Sequence, residues 1–135
     1  MSMHVINSKW IKGLYSLFAL LFFISAVVQY NDPDPLHWIF LYGLGSMISL
    51  FTVLGKIKVS WIYLCIGAAL LQILIVMDGA IQWYLRGVEN ILDTPMSKEK
   101  PYIEEVREFF GSLIVLTSNL FLLYFQNKSR KTDVN

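Results

Sequence analysis

Three places in a largely apolar chain carry ionisable and amide side chains that could act together as one site. These are Gln29-Tyr30-Asn31-Asp32-Pro33-Asp34-Pro35-Leu36-His37-Trp38, then Asp78, then Glu104-Glu105-Val106-Arg107-Glu108. On a helix Glu104 and Glu108 stand four residues apart and Glu105 and Glu108 three, so their carboxylates crowd one side and repel unless something positive joins them. Arg107, three residues after Glu104, can neutralise part of that charge and order the group. Asp32 or Asp34, Asp78 and Glu108, joined by Glu104, Glu105 and His37, can enclose one polar pocket, with Asn31 as a further ligand from the turn. Carboxylates in that number suit a hard divalent cation, and His37 would admit a transition metal. The metal candidates are therefore Asp32, Asp34, Asp78, Glu108 and His37. No fixed ligand spacing such as His-Glu-x-x-His is present, so the sequence specifies no cofactor.

Each of these residues also has a purely architectural reading. Asp34 before Pro35 is what a helix start looks like, since an Asp oxygen accepts orphan backbone N–H bonds and proline tolerates the first helical position. Asn31, Asp32 and Pro33 fit a turn, where Asx side chains satisfy backbone groups without any ligand. His37 can be an interfacial or pairing histidine, or a proton carrier beside the carboxylates. Asp78 can be a solvated residue at a helix end, and Glu104, Glu105 and Glu108 an acidic first turn favoured by the helix dipole.

The elements that position these groups follow from composition. At 135 residues there is room for one domain, and 56% hydrophobic residues make the chain too apolar for an ordinary soluble fold. The mean hydropathy of +0.53 agrees. A formal net charge of +1 and the lack of a zinc-ribbon, P-loop or dinucleotide fingerprint give nucleic acid no footing as a partner. The single cysteine, Cys65, lies within an apolar run, so it forms neither an intrachain disulfide nor a CxxC motif.

Uncharged windows place spans at about 10–30, 36–55, 59–85 and 107–127, each long enough for most or all of a roughly 30 Å hydrocarbon layer. The segment after the first window, Ala26-Val27-Val28-Gln29-Tyr30, is a poor signal-peptidase site, so the first window reads as a retained helix. Aromatic residues fall at two levels: Trp10, Tyr15, Trp61, Tyr63 and Tyr124 at one set of helix ends, and Tyr30, Trp38, Trp83, Tyr84 and Tyr102 at the other. Two such belts are the mark of two bilayer interfaces.

Four spans put both termini on one side. That side carries Lys9, Lys12, Lys56, Lys58, Lys128, Arg130 and Lys131, against Arg86, Lys98, Lys100 and Arg107 on the other, so the positive-inside rule places both termini in the cytoplasm. The outer side is then acidic. Asp78, nineteen residues or roughly 28 Å along the third helix, reaches the level of the Asn31–Pro35 turn. The expected fold is all-α, an integral membrane four-helix bundle running up-down-up-down over residues 1–128. The loops Asn31–Pro35 and Arg86–Val106 cover its outer end, and 129–135 forms a basic disordered tail near anionic headgroups. Interior faces are expected along Cys65, Ala69, Gln72, Val76 and Gly79, and along Glu108, Gly111, Ser112, Val115, Ser118 and Asn119. Gln72, deep in the membrane, needs an internal partner.

The combination Gln29-x-Asn31-Asp32-Pro33-Asp34 with Trp38 and Tyr42, and Glu104-Glu105-x-Arg107-Glu108-x-x-Gly111, resembles the transmembrane protein 220 family. The resemblance implies a small multi-pass membrane protein, with members in bacteria and animals, and carries no catalytic residue over. It adds Gln29, Trp38 and Tyr42 to the pocket candidates, and it leaves the position of His37 open. The short tails suit a bacterial member in an inner membrane. The functional expectation is a non-enzymatic binding or accessory module whose acidic outer pocket meets a membrane protein partner, a lipid headgroup or a cation. The alternatives are a carboxylate- or metal-assisted membrane enzyme acting on lipid, with Glu108 or Asp78 as general base, and a small ion or proton transporter. The lack of an ionisable residue at the midplane speaks against transport.

Overall fold

The computed structural model describes residues 8–32, 34–95 and 97–134, and all of its regular structure is helical. Helix α1 spans Lys9–Val28 and runs into a 3₁₀ turn, Gln29–Asn31. Helix α2 spans Pro35–Val53, α3 Val59–Leu85 and α4 Pro101–Val134. All four are long and apolar enough to cross a membrane. The chain is thus an integral, multi-pass four-helix bundle, which shields every backbone N–H and C=O of the spans from lipid inside its own helix.

The helix boundaries have local causes. Pro35 starts α2 where its missing N–H is not needed, with Asp34 in the capping position. The Asp34 side chain makes no capping bond. Instead its N–H donates to Asp32 Oδ1 at 2.9 Å, an Asx turn that bends the chain between the first two helices. Pro33, part of the expected turn, lies outside the described residues. Just past the end of α2 stands Gly55, whose φ of +70° suits glycine, and Lys56 N–H closes back on Phe51 C=O at 2.9 Å. Gly87 (φ +98°) plays the same part after α3, and Val88 N–H returns to Trp83 C=O at 3.1 Å.

Helix α4 departs from expectation at both ends. It begins at Pro101 rather than near residue 107, because proline is well placed in a first turn, and the preceding loop closes at Lys100. At the other end it continues to Val134 through what reads in sequence as a disordered tail. Neither glycine nor proline interrupts Lys128–Val134, and basic residues complement a helix C-terminus.

Two helix pairs build the bundle. Helix α1 lies on α2, where Ser46 Oγ donates to Ala19 C=O at 2.7 Å and a Cβ on Gly45 would stand 3.1 Å from the Phe22 ring. Helix α3 lies on α4, where Asn119 Nδ2 reaches Cys65 Sγ at 3.4 Å and Gly79 leaves room for Glu105. Small residues at these crossings replace the hydrophobic drive that lipid does not supply. The pairs are joined by Tyr15, whose hydroxyl donates to Ser118 C=O, and by Trp10, which packs edge-on against Phe125 at 5.4 Å. At the opposite end Tyr42 meets Gly111 and His37 meets Gln72. The interior stripes read from sequence are buried: Cys65, Ala69, Gln72, Val76 and Gly79 on α3, and Ser112, Val115, Ser118 and Asn119 on α4. Leucines such as Leu17, Leu71 and Leu74 stand outward toward lipid.

Candidate functional site

The polar residues converge at the end of the bundle that carries the 3₁₀ turn. Asp32, fixed by its bond to the Asp34 N–H, is brought against Glu104 and Glu108 on the first turns of α4. Each offers a carboxylate oxygen, and these three atoms all lie within 4.8 Å of one another. The four-residue spacing of Glu104 and Glu108 puts both on the α4 face toward the turn. All three residues are half-buried. Ionised carboxylates so close together repel, and the arrangement calls for a proton or a cation among them.

Two cavities meet at this trio. One, of about 270 Å³, is lined by Asp32, Asp34, His37, Trp38, Glu104, Glu105 and Glu108 above an apolar floor of Ile75 and Val76. The other, of about 490 Å³, lies between the end of α1 and the start of α4, lined by Val28, Gln29, Asn31, Asp32, Glu104, Arg107 and Glu108. Asp32, Glu104 and Glu108 belong to both, so the carboxylates form the wall between them.

The remaining expected site residues take varied positions. Trp38 is 2% exposed and packs its ring 5.0 Å from the His37 ring. His37 Nδ1 stands 2.9 Å from Gln72 Nε2 and 3.2 Å from Gln72 Oε1, which supplies the internal partner Gln72 requires. That pairing holds one imidazole nitrogen away from the carboxylates, and the trio does not include His37. Tyr42 is buried, its hydroxyl against Gly111. Glu105 fills the space left by Gly79. Asp78 lines neither cavity: it is exposed, and Oδ2 accepts from Gln82 Nε2 at 2.7 Å on its own helix.

Arg107 also serves differently from the expectation that it orders the carboxylates. Its Nε donates to Ile91 C=O and its Nη2 to Thr94 C=O, both at 2.5 Å. A loop with no ladder of its own needs donors for its carbonyls, and the guanidinium fork provides them. Arg107 thereby ties the 86–100 loop to α4. A second tie is Glu89, which accepts from Lys100 Nζ at 2.6 Å and from the Tyr102 hydroxyl, while Arg86 lies 4.8 Å over the Tyr102 ring. Trp83 Nε1 donates to Glu89 C=O at 2.7 Å.

The hydrogen bond from Lys100 holds the Glu89 carboxyl below the usual carboxylate range, and Glu89 in turn raises Lys100. A depressed carboxyl stabilises the fold above its ordinary pKa and ceases to do so as pH falls through its folded value. The loop is therefore expected to loosen below the ordinary carboxylate range, seen as a change in Trp83 fluorescence that Glu89→Gln abolishes. Lys100 contributes in the opposite sense, its share fading only at strongly alkaline pH.

Ser112, read from the sequence as part of the interior face of α4, has a further feature that spacing alone does not give. It lies one turn beyond Glu108 on the same face of α4, fully buried, with no hydrogen-bond partner for Oγ among the described residues. Its signal was there in the spacing from Glu108, but the lack of a partner emerges only in three dimensions.

Chemically, the trio offers oxygen alone. It can hold a hard cation or an ammonium group. No solved structure matches this chain. The family model described as transmembrane family 220, helix, matches residues 21–124, and the chain belongs to that family of membrane proteins.

Proposed function

We propose that the protein is a binding module of the membrane whose acidic mouth takes a positively charged group. The observation that carries this reading is the meeting of Asp32, Glu104 and Glu108 within 4.8 Å, with a cavity on either side. The helices run up-down-up-down with both termini cytoplasmic, on the positive-inside distribution, which puts the mouth on the outer face. Contacts of Trp10 near the start of α1 with Phe121 and Phe125 near the end of α4 support termini at one end.

A charged group can arrive by two routes. The cavity at Asp34 and His37 holds mostly polar residues at its rim, whereas the cavity beside Val28 opens between two spanning helices and would admit a lipid headgroup from the side. The test is a thermal-shift panel on the purified protein in nanodiscs, comparing divalent cations, soluble amines and amine-headgroup phospholipids with anionic and neutral controls. At least one cationic member is expected to raise the midpoint in the native protein and not in an Asp32→Asn, Glu108→Gln double variant. If no cationic member acts through these residues, the reading fails.

A further inference from the structure

Helices α3 and α4 leave an apolar groove along their seam, at the end of the bundle that carries the 86–100 loop. Its volume is about 290 Å³, and no charged residue lines it. Ala80, Ile81 and Trp83 come from α3, and Val106, Phe109 and Phe110 from α4. Phe109 and Phe110 follow Val106 by three and four residues, so the three share a face, which Tyr102 continues one turn nearer the loop. The wall is held in place. The Trp83 ring meets Phe110 edge-on at 5.8 Å, and its Nε1 donates to Glu89 C=O at 2.7 Å. Val106 is fully buried whereas Ile81 is 50% exposed, so the groove is open on the side away from the bundle.

Arg86 stands at the head of this groove. Its guanidinium lies 4.8 Å over the ring of Tyr102, one helical turn from the groove-lining Val106. Stacking uses the flat face of a guanidinium and leaves the N–H donors of its edge for another partner. Among the described residues the ion pair at this end joins Glu89 to Lys100, not to Arg86. Two cations, Arg86 and Lys100, against the one carboxylate of Glu89 leave a net charge of +1. An apolar groove below an uncancelled cation, with Trp83, Tyr84 and Tyr102 at the level of an aromatic belt, complements a lipid whose chain is apolar and whose head is negative.

We propose that this groove seats one acyl chain of an anionic phospholipid from the adjoining leaflet, with the headgroup phosphate held by Arg86. A second copy of the chain is the poorer occupant, because helices meet in lipid through small residues and this rim presents Trp83, Tyr84 and Phe110. The groove shares no lining residue with the two cavities at the acidic mouth, so the proposal stands independently of the cation-binding reading.

The experiment places the full chain in mixed phosphatidylglycerol and phosphatidylcholine bilayers, with one lipid or the other brominated in its acyl chains so that it quenches tryptophan on contact. Trp10, Trp38 and Trp61 also fluoresce, so the Trp83 signal is taken by difference from Trp83→Phe. Phosphatidylglycerol is expected to be favoured beside Trp83 by about fivefold, the preference that one basic residue gives at a membrane surface. Arg86→Gln should abolish that preference, and Lys128→Gln, near the far end of α4, should leave it intact. Ala80→Phe, which fills the groove, should reduce quenching of Trp83 by both lipids. Arg86 is exposed, so Arg86→Gln is expected to fold, which circular dichroism and gel filtration check. The proposal is overturned if Trp83 in the native protein shows no preference, if the preference survives Arg86→Gln, or if quenching is undiminished in folded Ala80→Phe. Shielding of Trp83 from both brominated lipids in a dimeric native protein would put a second copy in the groove and overturn it too.

Discussion

Gly111→Ala is expected to destabilise the protein by about 1–3 kcal/mol, the range for forcing extra atoms into a packed interior. A Cβ at this position would collide with the Tyr42 hydroxyl and stand 3.1 Å from Cζ of the same ring. Tyr42 has little freedom to retreat, because it is 7% exposed and packed between the rings of Trp38, 6.4 Å away, and Phe22, 6.5 Å away. The strain then falls on the contact between α2 and α4 that closes the bundle beneath Glu108. Thermal unfolding in nanodiscs should show a lowered midpoint. Tyr42→Phe removes the colliding oxygen, so the Tyr42→Phe, Gly111→Ala double variant should recover much of the loss. The interaction energy of that double-mutant cycle isolates this one contact. If the two losses simply add, the close approach of Tyr42 to Gly111 does not govern this crossing.

This crossing was legible in part. The spacing of Glu108, Gly111, Ser112, Val115, Ser118 and Asn119 gives the interior face of α4, since helical period and membrane burial act on the same residues. It does not give the residue across the gap. Asp78 shows the same limit from the other side. Its height follows from a fixed rise per residue, and it does lie near the turn end of α3. Its direction follows from the interior stripe, which includes Gly79. Asp78, one residue earlier, is rotated by about 100° away from the face that meets Glu105.

Arg107 was misplaced for a different reason. Sequence spacing shows that it can reach Glu104, but two loop carbonyls compete for the same guanidinium, and their position depends on how residues 86–100 fold. The C-terminal end of α4 is a third case. Hydropathy marks where apolar chain stops, whereas polar residues can continue a helix, and neither glycine nor proline breaks Lys128–Val134. The gathering of Asp32 with Glu104 and Glu108 was the more tractable inference. Three polar segments in an apolar chain have few places to go, and four spans bring the turn and the start of α4 to one end.

Glu108→Gln should make the protein more stable at pH 8 in the presence of a chelator, and the same substitution should remove its response to cations. Two ionised carboxylates no more than 4.8 Å apart repel by at least about 3.5 kcal/mol at an effective dielectric of 20, and Glu108 faces two such neighbours. Uptake of a proton relieves part of this, so the realised gain should be about 1–2 kcal/mol, a rise of a few degrees in the midpoint. Glutamine keeps the shape and removes the charge. The sign of the pH dependence follows: repulsion exists only where the carboxylates are ionised, so the advantage of Glu108→Gln should shrink as pH is lowered and vanish near pH 4. Added cation should reverse the ranking, because a ligand at a hundred times its Kd stabilises the native protein by about 2.7 kcal/mol and leaves the variant unmoved. A group retained against its own stability is what selection for binding leaves behind, whereas a purely architectural carboxylate would make the glutamine variant the weaker one under every condition. Thermal midpoints of the two proteins, measured with chelator and with calcium at pH 8 and pH 4, decide between these outcomes.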